Sequence, residues 1–218
     1  MISSIYQLLK KELISEFRYK ISLNSIFLYL VSTIFIIYLV FYQIEDLKSW
    51  VAIFWIVLVF ASLNASMNSF RHESGRQFYY YYGLVKAGPL ILSKLIFNSF
   101  LMLIISLLSF ALLSLLIGNP IENISLFISI LILGSMGLSA ILTLVAAIAS
   151  KTSQNSSLTA ILAFPILLPT LLISIKASIL SGLGFGMEEC GTYLLSLGLI
   201  YLIILTLSLI LFPYLWRS

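Results

Sequence analysis

Residues 124–150 read ISLFISILILGSMGLSAILTLVAAIAS, a run without a single charged side chain. As a helix this run is about 40 Å long at 1.5 Å per residue. The hydrocarbon core of a bilayer is only about 30 Å thick. Leu and Ile recur here without strict alternation, which favours a membrane helix over a barrel strand. Working outward, five more apolar runs surround it, giving expected spans at 24–42, 49–69, 90–117, 124–150, 158–180 and 192–216. The third and fourth exceed the length needed to cross, so they tilt or project beyond the bilayer. The rest of the composition agrees. Of 218 residues, 61% are hydrophobic and 9% charged, against about 25% charged in a soluble domain. This excludes a soluble globular enzyme, and it is the opposite of a disordered chain. The expectation is an all-α polytopic protein, residues 1–218 forming one membrane domain.

The single cysteine, Cys190, excludes a disulfide framework and a multi-cysteine metal site. A net charge of +4 is too small to indicate nucleic acid as a partner. No cleavable signal peptide is expected: four basic residues precede the first apolar run, and no small-residue cleavage site follows. No internal repeat is evident, which weighs against an inverted-repeat transporter.

Lys and Arg set the orientation. Lys10, Lys11, Arg18, Lys20, Arg71, Arg76, Lys86, Lys94, Lys151 and Arg217 fall on one side of the six spans, leaving Lys48 and Lys176 for the other. Glu45, Asp46, Glu122, Glu188 and Glu189 share that second side. Both termini are therefore expected in the cytoplasm. Residues 1–20 place Ile2, Ile5, Tyr6, Leu9, Leu13 and Phe17 at helical spacing among lysines, the pattern of a helix lying in the interface against anionic headgroups. The alternative is a cytoplasmic extension of the first span.

The longest polar interruption, residues 70–94, reads FRHESGRQFYYYYGLVKAGPLILSK. Glu73, Arg76, Gln77 and Tyr80 share one helical face, which suits a short membrane-surface helix with a charged face turned to a soluble partner. Residues 78–82 fit an aromatic interface belt, and Gly88-Pro89 separates the segment from the third span. His72 is the only histidine and has no second ligand nearby in sequence, so it reads as a solvated loop residue rather than a metal or haem ligand.

Pro165 and Pro169 interrupt the fifth span. Each removes a backbone donor and clashes with the carbonyl four residues back, so a kinked or broken helix is expected. The break is either static or part of a moving element. Gly134, Gly137, Ser135, Ser139 and Thr143 are small residues suited to close helix packing, within the subunit or against a second copy. Residues 181–186, SGLGFG, have no preceding strand and lie beside Glu188 and Glu189, so they read as a flexible or re-entrant external loop, not a phosphate site. Residues 150–152, SKT, lack the glycines of a phosphate loop.

None of the eight acids lies inside an expected span, so the intramembrane carboxylate of an ion-coupled carrier is missing. Lys94 and Lys176 lie near span ends and are expected to snorkel to the interface. No nucleophile–base pair or metal triad is visible, so the chain is not expected to be an enzyme. A chain with a docking surface and no energy source of its own is most economically driven by a separate ATPase.

These features together resemble the haem exporter protein B (CcmB) family, the permease subunit of an ATP-binding-cassette (ABC) complex in cytochrome c maturation. The likeness covers nearly the whole chain. It is most specific at residues 70–98, with Glu73, Gly75, Pro89 and Lys94 placed as in that family, and at residues 162–169, LAFPILLP. Gly137-Leu138 also matches, whereas Lys86-Ala87-Gly88-Pro89 replaces the more usual serine–proline turn. The wording ESGRQFYYY is similar to Bacteroidetes versions. The resemblance implies an ABC-2-type permease half in the bacterial inner membrane. Its implied partners are a CcmA-like ATPase, a CcmC-like haem-handling protein, a small CcmD-like subunit, the CcmE-like haem chaperone and a second copy of itself. It implies haem as cargo of the complex, ATP on the partner, and hydrolysis linked to release of the loaded chaperone. The coupling region would be Glu73, Gly75, Arg76 and Gln77, and the responding element the Pro165/Pro169 helix. With no histidine outside the cytoplasmic loop, a partner is expected to hold the iron. Competing expectations are an ABC-2 permease for a lipid, drug or glycan, and a non-transporting assembly scaffold.

Overall fold

The computed structural model describes residues 2–19, 21–41, 44, 46–69, 87–152 and 156–217. Every regular element among them is a helix: α1 (Ile2–Tyr19), α2 (Ile21–Phe41), α3 (Leu47–Ser69), α4 (Ala87–Leu116), α5 (Ile124–Thr152), α6 (Ser156–Gly182) and α7 (Met187–Arg217). Six of them, α2 to α7, are long and apolar enough to cross a membrane.

Helix α5, the uncharged run, is the axis of the bundle. It packs against α3, α4, α6 and α7, and 72% of its apolar window is buried, against 17% for α2 and 22% for α7. The outer helices turn Leu28, Val40, Ile161, Leu172 and Ile210 outward. In lipid such faces cost nothing, and association depends on close packing instead. Helix α1 packs chiefly on α4 and also touches α2.

The helix ends explain where the expected boundaries moved. Asp46 caps α3, its Oδ2 accepting from Ser49 N at 2.9 Å and Ser49 Oγ at 2.6 Å. That starts α3 at Leu47, two residues earlier than expected. Gly88 and Pro89 do not separate a loop from a span but lie in the first turn of α4, where a helix has no use for the missing N–H. Asn123 caps α5 through Oδ1 to Leu126 N, 3.2 Å. Its own N–H donates to Ser181 O at 3.0 Å and its Nδ2 to Phe185 O at 3.1 Å, tying the start of α5 to the end of α6.

Of residues 181–186, expected as a flexible or re-entrant loop, the first two close α6 and the rest form a tight hydrogen-bonded turn. Phe185 N donates to Leu180 O and Gly184 N to Ser181 O, with Gly184 at φ +80°. This is a Schellman cap, whose left-handed position glycine adopts without penalty. Helix α7 then begins at Met187, and its first turn takes in Glu188 and Glu189, stabilised there by the helix dipole. Glu189 Oε2 accepts from Gly186 N at 3.1 Å.

Of the kink or break expected at the prolines of α6, the break does not occur. The helix runs unbroken from Ser156 to Gly182 with Pro165 and Pro169 inside it. Both rings lie on its exposed side, while Ala163, Leu167 and Thr170 are buried. The side of α6 that bears on its neighbours is therefore free of the proline rings.

An aromatic cluster locks α3, α4 and α5 together. Trp50 stacks on Phe54 (centroids 5.7 Å apart, planes 10° apart), and Phe127 lies 5.4 Å from Phe54 and 5.0 Å from Phe110. Stacked aromatic pairs such as Trp50–Phe54 add about 0.5–1.5 kcal/mol each beyond burial. Both indoles find acceptors: Trp50 Nε1 donates to Gly118 O and Trp55 Nε1 to Ser178 Oγ, each at 3.0 Å. Gly118, at φ +103°, turns the chain out of α4 and presents that carbonyl.

Candidate functional site

The two ends of the bundle differ in chemistry. The start of α3, the α4–α5 turn and the α6–α7 turn meet at one end through the Trp50–Gly118 and Asn123–Ser181 bonds. Asp46, Glu122, Glu188 and Glu189 are exposed in the segments that make up this end. Lys48, on α3, and Lys176, on α6, are also exposed. At the opposite end lie α1 and the start of α4, and there the structure places a buried charge.

Lys94 lies in the second turn of α4 and its side chain is only 2% exposed. It does not snorkel to the interface as expected. Its Nζ lies 3.5 Å from Oε1 of Glu12 on α1, whose side chain is 15% exposed, and Lys11 Nζ lies 3.4 Å from the same oxygen. An ammonium held out of water needs such a partner, because an unpaired buried charge costs several kcal/mol. On α1, Leu8 is buried one turn before Glu12, so the two share the face that meets the bundle. Tyr6, Gln7, Lys10, Leu13 and Ile14 are exposed on the rest of the helix. The apolar stripe expected from sequence is thus split between protein and surroundings.

One turn beyond Lys94, Asn98 Nδ2 donates to Thr143 Oγ1 on α5 at 2.9 Å, and Thr143 Oγ1 donates to Ser139 O at 2.7 Å. The first half of α4 is therefore fastened by polar groups to α1 on one side and to the central helix on another. Lys94 and Asn98 were open to sequence reading as a polar pair four residues apart. Glu12, 82 positions away from Lys94, left no local signal.

The small residues of α5 lie where helices come closest. A β-carbon on Gly134 would stand 2.5 Å from Trp55 Cη2 and 2.9 Å from Ser174 Oγ, and one on Gly137 would stand 3.1 Å from Thr170 Cγ2. Gly134 thus admits both the Trp55 ring from α3 and α6, and Gly137 admits α6. The hydroxyls of Ser139, Thr170 and Ser174 are buried there without a hydrogen-bond partner among the described residues. Ser178, by contrast, accepts from Trp55 and donates to Ser174 O at 2.7 Å. Glu73, Gly75, Arg76 and Gln77, together with His72, lie outside the described residues.

Compared with known proteins, the chain matches the sequence model of the family described as CcmB protein over residues 3–214. No protein of curated function matches it.

Proposed function

The chain belongs to the CcmB protein family, and from that membership we propose that it is the permease subunit of an ABC complex for haem delivery in c-type cytochrome biogenesis. The carrying observation is the extent of the match, residues 3–214 of 218, on a chain with six helices able to cross a membrane. Haem is cargo of the complex, a CcmC-like partner holds the iron, and ATP is bound and hydrolysed by a CcmA-like subunit. A CcmD-like small subunit completes the membrane assembly. A second copy of the chain supplies the other half of the permease. The protein spans the bacterial inner membrane with both termini in the cytoplasm, an orientation supported by the basic residues around α1 and the acidic residues at the far end.

Glu73, Gly75, Arg76 and Gln77 are the docking surface for the ATPase. They precede α4, so motion imposed there is delivered to the start of a membrane helix. Helix α6 is the element that responds. Pro165 and Pro169 remove two backbone donors from it. Thr170 and Ser174 meet α5 through packing rather than side-chain hydrogen bonds, so displacing them breaks few polar contacts. A ligand drives such a change only by binding the two arrangements with different affinity, which is the part assigned to the ATP-bound partner. The output is release of the haem-loaded CcmE-like chaperone on the external side.

Deleting the gene in its host, followed by spectra of c-type cytochromes and of haem-bound chaperone, tests this. Loss of the cytochromes with accumulation of loaded chaperone is expected, reversed by the intact gene. Normal cytochromes in the deletion strain would refute the function and leave a permease for another cargo.

A further inference from the structure

Helix α6 carries on its outward side a stripe that does not suit lipid. Ile161, Pro165, Leu168, Pro169, Leu172 and Lys176 follow one another at helical spacing, and all are exposed. Lys176 is six residues before the helix ends at Gly182, about 9 Å at 1.5 Å per residue. Among the described residues it is the one exposed charge set more than a turn inside a membrane-spanning helix. We propose that this stripe is the surface on which a second copy of the chain docks, with water and the acidic end of that copy meeting Lys176. The inference rests on the reading above in which a second copy supplies the other half of the permease.

Three observations lead to it. First, a lysine turned toward acyl chains is costly and is kept where a polar group meets it. Among the described residues Lys176 has no ion-pair partner within its own chain. Second, Pro165 and Pro169 lack an N–H, so the carbonyls of Ile161 and Pro165 lose their helical donors. Each carbonyl sits beside the proline four residues on, so both open to the ring side of the helix, away from α5. Such groups are expensive in hydrocarbon and are satisfied by water or by neighbouring protein.

Third, charge complementarity names the occupant. A two-fold axis along the membrane normal would lay α6 beside its own counterpart and bring both lysines to one depth. The same end of each copy carries exposed Asp46, Glu122, Glu188 and Glu189. The two ammonium groups therefore enter a region with an excess of carboxylates, and their mutual repulsion is offset. The outward faces of α4 and α7 are different. Phe100 and Ile104 on one, and Ile203 and Ile210 on the other, are exposed apolar residues that suit lipid. Docked through α6, the two copies enclose a hydrated seam lined by the proline-freed carbonyls and closed at its acidic end by the lysines.

The test places single cysteines on a Cys190→Ser background in native membranes and treats them with a short bifunctional maleimide. Leu168→Cys and Leu172→Cys are expected to give cross-linked dimers, and Phe100→Cys and Ile210→Cys to stay monomeric. All four positions are exposed in the single chain, so none of the substitutions disturbs its core. Dimers at α4 or α7 in preference to α6, or at none of the four positions, overturn the proposal, the second outcome leaving lipid or another protein on the stripe. The role of the charge is read at Leu172→Cys. The yield of dimer should fall severalfold when Lys176→Met is added and persist with Lys176→Arg, whereas a yield unchanged by Lys176→Met overturns the part given to the lysine.

Failure of the functional reading looks different. A host that makes c-type cytochromes without the gene refutes haem delivery, whatever the cross-links show. A host that needs the gene, with no cross-link through α6, refutes the docking surface alone.

Discussion

Replacing Gly134 by alanine is expected to destabilise the bundle, whereas the same change at Gly198 is expected to stabilise it. Both glycines are inside long helices, where glycine is about 0.8–1 kcal/mol worse than alanine, so helix propensity alone favours both substitutions. Around Gly198 there is nothing within 4 Å of an added β-carbon, and the gain of about 0.5–1 kcal/mol should appear. At Gly134 the methyl would stand 2.5 Å from Trp55 Cη2 and 2.9 Å from Ser174 Oγ. Ser174 is a short side chain on the helix packed behind it. Trp55 is a rigid ring held by its bond to Ser178 and by an edge contact with Phe54, centroids 5.6 Å apart. Neither yields without moving a helix.

Overpacking of this kind costs about 1–3 kcal/mol, which exceeds the propensity gain. The two variants should therefore differ by about 1–3 kcal/mol. Reversible unfolding in mixed micelles, followed by the fluorescence of the buried Trp50 and Trp55, measures the difference. Coupling supplies a second check: Trp55→Phe shortens the ring that Gly134 accommodates. The double variant should thus be less unstable than the sum of the singles. A Gly134→Ala protein as stable as Gly198→Ala would refute the close approach of α3, α5 and α6 on which the architecture rests.

Removing the Asp46 carboxylate by Asp46→Ala should lower stability at neutral pH. The Ser49 hydroxyl and amide hold this carboxyl below its ordinary pKa. Its contribution is therefore complete above the ordinary carboxylate range and lost as pH falls through the lowered value. The gap between wild type and variant in unfolding titrations should close in that acidic range and nowhere higher. A membrane-impermeant maleimide should label Phe185→Cys in intact cells and Gln7→Cys only after lysis, against a silent background because the native Cys190 is fully buried. Labelling in the reverse order would invert the assigned orientation. Glu73→Ala and Arg76→Ala should lower cytochrome c yield at unchanged protein abundance, and normal yield would remove the docking assignment.

The membrane helices were legible because lipid imposes one simple demand, a long run of residues without charge, which residues 124–150 and their five counterparts meet on their own. Their ends were less legible because caps are set by partners distant in sequence. The start of α5 is held by Ser181 and Phe185 through Asn123. The start of α7 moved to Met187 because two glutamates that read as loop residues suit a helix N-terminus. The prolines of α6 read as a kink or a break because a proline within a run removes a hydrogen bond; sequence does not tell that the helix continues through them with both rings on its exposed side.

Lys94 shows the same limit at the candidate site. A lone lysine near a span end reads as a snorkelling residue, and only the folded chain brings Glu12 to it. Gly134 and Gly137 suggested close packing in general, but Trp55 and Ser174 as the groups admitted at Gly134 came from the structure.

In the proposed function this membrane subunit is driven by ATP hydrolysed on a separate protein. This is tested most directly by reconstituting the purified chain with its CcmA-like partner in native lipid and measuring ATP turnover. The partner is expected to be captured, its turnover to change when the chain is present, and Arg76→Ala to abolish the change. A partner that neither binds nor alters its turnover would contradict the account.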